Sequence, residues 1–72
     1  MPLQWTRHSL ERLAQRGITK EDVEYAINHP NGNKTPGQMG SVWVYGHTGS
    51  GRILKVCVAT DDPTRVITAV WP

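Results

Sequence analysis

The sequence predicts an α+β domain, with two N-terminal helices packed on one face of a three- or four-stranded antiparallel sheet. Three observations carry that reading. Helical spacing and capping signals are confined to residues 6–29. Alternating β-branched runs fill the C-terminal half. The turns between those runs are too short for anything but antiparallel neighbours. With 72 residues the chain is a single domain over 1–72, and a chain of this size buries only about 60% of its unfolded surface.

Met1 to Trp5 form a lead-in with strand character, Leu3 and Trp5 on one side. Thr6 then stands where an N-cap is wanted and Gly17 where a left-handed residue closes a helix. Between them Leu10, Leu13 and Ala14 make an apolar stripe, while His8, Arg12 and Arg16 recur every four residues along a different, roughly opposite side. Thr19 and Asp22 have capping-box spacing, and Ile18 and Val23 have that of a hydrophobic staple. The second helix buries Val23, Ala26 and Ile27 and ends near His29, because Pro30 disfavours helical geometry before it. Residues 17–19 leave room only for a tight αα corner.

Residues 30–40 are rich in Pro, Asn and Gly and form turn and loop, with a ragged edge strand over residues 34–38. Three strands follow at 41–47, 52–60 and 65–71, joined by turns at 48–51 and 61–64. Alternation puts Leu54, Val56 and Val58 on one face, with Val42 and Val44. The opposite face carries Trp43, Tyr45 and His47, with Ile53, Lys55, Cys57 and Ala59. In the last strand Val66, Thr68 and Val70 are as apolar as Ile67, Ala69 and Trp71, so its facing is left open. The aliphatic face packs on the helices. The other, bearing aromatics and a lysine, suits stacked bases and phosphates.

Charged residues make up 19% and hydrophobic residues 38%, a globular composition. Phe is absent, so three Trp and the Val/Ile/Leu set fill the interior. A net charge of +2 points weakly to anionic partners. Arg7, Arg12 and Arg16 outnumber Glu11 on the first helix, whereas Glu21, Asp22 and Glu24 open the second, where the helix dipole favours them. Cys57 is the single cysteine, which excludes an internal disulfide and a Cys-rich metal site. No leader pattern and no run of 18 apolar residues is present, so the expectation is a cytoplasmic protein without a membrane span.

His8 is the histidine placed beside other functional groups, and imidazole titrates near neutral pH. Arg12 and Arg16 offer planar forks of donors to a phosphate. The plainer alternative leaves His8 an exposed helix-start residue and the arginines solvated or paired with Glu11, Glu21 or Glu24. Gly49-Ser50-Gly51 joins strand to strand and lacks the ending of a phosphate loop, so it is a hairpin turn. His29 serves as a helix C-terminal cap and His47 as strand-end surface. Three scattered histidines do not make a zinc site, no nucleophile turn supports a Ser-His-Asp hydrolase, and no cofactor is implied.

Residues 8–23, His8-Ser9-Leu10-Glu11-Arg12-Leu13-Ala14-Gln15-Arg16-Gly17-Ile18-Thr19-Lys20-Glu21-Asp22-Val23, resemble the "HA-x-ER-x-x-x-RGI-[ST]-x-E-[DE]-V" opening of a small bacterial and phage family of uncharacterised domains. Gly51-Arg52-Ile53-Leu54-Lys55-Val56 resembles its "GR-x-L-x-V" strand, and Val66-Ile67-Thr68-Ala69-Val70-Trp71 its "ViTvyw" ending. Ser9 stands where that family usually has Ala. The family is similar in turn to RelE/BrnT-type toxins, within the barnase–EndoU–colicin–RelE group of metal-independent ribonucleases. The resemblance implies a RelE/barnase-like fold and RNA cleavage by attack of a 2′-hydroxyl on the adjacent phosphate. It carries His8, Arg12, Arg52 and Thr68 over as catalytic positions. His8 would act as base or acid, Arg12 and Arg52 would stabilise the phosphorane, and Thr68 would orient a phosphate oxygen. Strand parity adds Lys55 and Tyr45, and helix spacing adds Arg16, as RNA-binding residues. The implied partners are RNA or the ribosome and a cognate antitoxin. The rival expectation is a non-catalytic RNA-binding or protein-interaction module of the same fold, pairing through an exposed sheet edge in one variant. The catalytic reading expects His8, Arg12 and Arg52 to converge on one cleft.

Overall fold

The computed structural model describes residues 3–72; Met1 and Pro2 of the expected lead-in lie outside that range. Helices α1 (Arg7–Gln15) and α2 (Lys20–Asn28) precede strands β1 (Pro30–Pro36), β2 (Ser41–His47), β3 (Ile53–Ala59) and β4 (Val66–Val70). The strands form one antiparallel sheet in the order β1-β2-β3-β4. The α+β reading therefore holds, with the four-stranded option realised.

Both helices start on reciprocal caps. The Thr19 hydroxyl accepts from Asp22 N–H (3.0 Å), and the Asp22 carboxylate accepts from Thr19 N–H (3.2 Å). At α1 the same box is closed by Ser9, whose Oγ accepts from Thr6 N–H at 2.9 Å and donates to the Thr6 carbonyl at 2.8 Å. That satisfied hydroxyl can be buried, and Ser9 is fully buried beside Leu13. The inner face of α1 is thus rotated from the expected stripe: Leu10 is half-buried and Ala14 is exposed. Gly17 turns the corner at φ +67°, a conformation that favours glycine, and delivers Ile18 into the core.

The edge strand departs from expectation. β1 begins directly at Pro30 and ends at Pro36, rather than spanning 34–38. An edge position tolerates a residue without an N–H. Its pairing with β2 slips between Pro30 and Lys34, around Gly32 at φ +89°, so the outermost strand is irregular, proline-bounded and wholly exposed.

Parity correctly assigns β2 and β3. Leu54, Val56 and Val58 are buried against the helices, with Val42 and Val44 packed beside them. The choice left open for β4 is resolved by a bulge. Cys57 pairs with Thr68 but Val58 pairs with Val66, which leaves Ile67 as an extra residue. A bulge resets the alternation, so Val66 and Ala69 both face the core. Neither of the two alternating sets applies.

The lead-in docks on β4. Gln4 N–H donates to the Thr64 carbonyl (2.8 Å) and Val66 N–H to the Gln4 carbonyl (3.1 Å). The Asp62 carboxylate gathers this corner, accepting from the Thr64 hydroxyl (2.6 Å), the Thr64 N–H (3.1 Å) and the Gln4 amide (2.9 Å). The Thr64 hydroxyl first, then the Thr64 N–H, Gln4 and Arg65, hold the Asp62 carboxyl below the usual carboxylate range. A carboxyl with a depressed folded-state pKa stabilises the fold above its unfolded pKa, and that stabilisation is lost as pH falls through the folded value. Acid unfolding below about pH 4 should therefore be less steep in Asp62→Asn than in the wild type. Equal acid limbs in pH-dependent denaturation would refute a role for this corner.

Candidate nucleic-acid interface

The helices cover one face of the sheet, and among the described residues no helix or strand covers the other. Its charge distribution follows from the sequence. All six acidic residues lie on α1, on α2 or in the β3–β4 turn, and none lies on a strand. Of the cations, Arg7 pairs with Glu11 and Arg65 with Asp61. Among the described residues, Arg16, Arg52 and Lys55 have no carboxylate partner.

Lys55 is half-buried on β3, opposite Tyr45 on β2. Its ammonium sits 4.5 Å from the Trp43 ring centroid and 5.8 Å from that of Tyr45, within the range of cation–π attraction. Both rings are half-buried. The three side chains form one cationic, aromatic platform.

At the adjoining end of the sheet a second connected set runs from Thr68 on the open face round to Trp71 on the helix side. Arg16 occupies the C-cap of α1. One Nη1 donates to the Thr68 hydroxyl at 2.8 Å and to the Ala69 carbonyl at 3.1 Å. The carbonyl belongs to the outer strand, so this arginine occupies an acceptor on the sheet's edge. Trp71 Nε1–H in turn donates to the Arg16 carbonyl at 2.9 Å. The Arg52 guanidinium lies over the Trp71 ring, 3.8 Å from its centroid. Arg16, Thr68, Trp71 and Arg52 thus form a chain of contacts around the β4 end.

The expected row of His8, Arg12 and Arg16 does not act as a unit. Residues four apart on a helix of 3.6 residues per turn advance by about 40° at each step. Arg16 therefore swings towards the Ser9 and Leu13 side and reaches β4, while His8 and Arg12 remain exposed. Arg12 Nε–H points at His8 Nε2 across 3.4 Å, a long contact that requires an unprotonated Nε2. The expected convergence of His8 and Arg12 with Arg52 is also not found. The residue preceding α1 by three, Gln4, bridges to Arg65 at the start of β4, and the end of α1 meets Trp71. His8 thus lies at one end of α1 and Arg52 at the other. Eight residues of helix separate their levels by roughly 12 Å.

Sequence reasoning kept Trp43 on the right face but omitted it from the candidate site, and omitted Trp71 as well. Tryptophans neighbouring lysine or arginine across a strand pair were the available signal. A groove of about 490 Å³ runs between the two sets, lined by Arg16, Ser41, Trp43, Cys57, Thr68 and Val70 among others. Among the described residues, no group of three or more His, Cys, Asp or Glu could hold a metal ion, and no helix is long and apolar enough to cross a membrane.

The fold and this face define a class: a small α+β domain whose open antiparallel sheet presents aromatic rings and cations and, among the described residues, no carboxylate. Residues 5–71 match the model of a family described as Domain of unknown function (DUF4258). The chain belongs to that family. Comparison with curated proteins and with solved structures gave no match.

Proposed function

We propose that this domain binds single-stranded RNA on the open face of its sheet. The observation that carries the reading is the carboxylate-free face on which Lys55 lies against Trp43 and Tyr45 and which Arg16 reaches at Thr68; Arg52, stacked on Trp71, stands at the rim, because Trp71 packs on the helix side of the sheet. Aromatic faces stack unpaired bases whatever their sequence, and neighbouring cations track the backbone. The resemblance of the 8–23 motif to RelE/BrnT-type toxins points to the same substrate.

Three phosphate contacts give a single strand a log–log salt slope of about −2, or roughly 20-fold weaker binding on going from about 50 to about 200 mM salt. Removing Lys55 and Arg52 together by substitution with Gln is expected to flatten that slope by about 1.4. Fluorescence anisotropy of a labelled oligouridylate measures it. A double variant with the wild-type slope would remove this face from the interface.

A second reading, endoribonucleolytic cleavage, is favoured by one observation, the Arg12 Nε–H directed at His8 Nε2 across 3.4 Å. In that reaction the RNA 2′-oxygen bonds to the adjacent phosphorus and the P–O5′ bond breaks. His8 would take the 2′ proton, Arg12 would offset the charge of the phosphorane, and the departing 5′-oxygen would take its proton from water.

A further inference from the structure

We propose that the groove between Arg16 and Trp43 is a subsite for one nucleotide of the strand, with the base against the Trp43 indole and its phosphate on the Arg16 guanidinium. This rests on the RNA-binding reading above and assigns it a specific anchoring point.

Three features of the groove favour that occupant. Its volume of about 490 Å³ falls in the range of pockets that hold small ligands, about 300–1,000 Å³. Its lining contains one cation, Arg16, and no carboxylate, so an anion entering it meets no like charge. The guanidinium is already fixed. Nη1 is committed to Thr68 and Ala69, while among the described residues Nε and Nη2 have no partner, which leaves their donors for a ligand. A planar fork held in place loses little freedom when it takes up a phosphate. The indole of Trp43, half-buried on β2 and separated from Thr68 by Cys57 of β3, supplies the flat apolar wall that a base requires. A simple acidic peptide would use the guanidinium and leave the indole unused.

The opposite cavity, between α2 and β1, is lined mainly by apolar groups and holds about 200 Å³; its lining includes Ala26, Ile27 and Val44. It offers no comparable pairing of an anchored cation with an aromatic wall.

Titration of the isotope-labelled wild-type chain with a short oligouridylate, followed by NMR, reads the subsite directly. The Arg16 Nε–H, the Trp43 indole N–H and the Thr68 amide are expected to shift together and saturate together. A hexaglutamate peptide at matched charge is expected to leave the Trp43 indole in place. Arg16→Gln is expected to weaken oligouridylate binding about tenfold, the scale of one lost hydrogen-bonded contact to a charged group. If shifts gather on Lys55 and Tyr45 while Arg16 and Thr68 stay unmoved, the strand uses the rest of the open face and the subsite is wrong. Equal indole shifts with hexaglutamate also overturn it. No shift anywhere with oligouridylate overturns both the subsite and the RNA-binding reading. Because the wild-type titration needs no variant, any loss of folding on removing Arg16 leaves the test intact.

Discussion

Gly46→Ala is expected to destabilise the domain by about 3 kcal/mol or more, at the upper end of what overpacking costs. Gly46 sits on β2 directly beneath the last turns of α2. A Cβ placed there would run into the carbonyl group and Cα of Ala26. These are backbone atoms of a helix, so they cannot swing aside as a side-chain tip could. Relief would require α2 to lift from the sheet, which would uncover Val23 and Ala26, both buried in the core. Stability of roughly 0.05–0.15 kcal/mol per residue is usual, so the loss is a large fraction of the total for 72 residues. Thermal unfolding followed by circular dichroism should show a midpoint lowered by about 15 °C or no cooperative transition. Gly49 is the matched control. It has open space around it and no positive φ, so Gly49→Ala should stay within about 0.5 kcal/mol of the wild type. A Gly46→Ala protein as stable as its Gly49→Ala counterpart would contradict the packing described for α2.

A glycine inside an otherwise alternating strand is a sequence signal for close backbone approach, so this contact was legible in principle. Much else was legible in fact. Thr19 with Asp22, and Gly17 before them, encode the αα corner through local hydrogen bonding and backbone preference, which do not depend on the rest of the fold. The facing of β2 and β3 follows from period-two patterning. What failed to show was non-local. The bulge at Ile67 depends on how β4 meets β3, and two equally apolar alternating sets give no local preference for it. Ser9 is polar, and only its capping hydrogen bonds make its burial acceptable. Arg16 belongs to α1 by spacing but to the sheet by reach, because a long side chain at a helix end can cross to the neighbouring strand. The candidate site divides on the same line. Lys55 and Tyr45 were placed together by parity, whereas the distance between His8 and Arg52 depended on how α1 lies along β4.

That division makes binding and cleavage separable by mutation. If the domain cleaves RNA, His8→Ala is expected to lower the cleavage rate by about 10²–10⁴-fold, the usual loss on removing a general acid or base. Binding should change little, because His8 is exposed at the far end of α1 from the sheet cations. Its only side-chain hydrogen bond among the described residues is to Arg12, so the fold should be undisturbed. Lys55→Gln with Arg52→Gln should do the reverse, raising the Kd while leaving the rate at saturating RNA near that of the wild type. The two effects can be read from one set of single-turnover experiments with end-labelled oligouridylate, varied in enzyme concentration. Equal losses of rate and affinity in both variants would mean that His8 and the sheet cations serve one site, contrary to their separation along α1. Cleavage unchanged in His8→Ala would remove this histidine from the chemistry. With the salt slope still set by Lys55 and Arg52, the domain would then act on RNA by holding it.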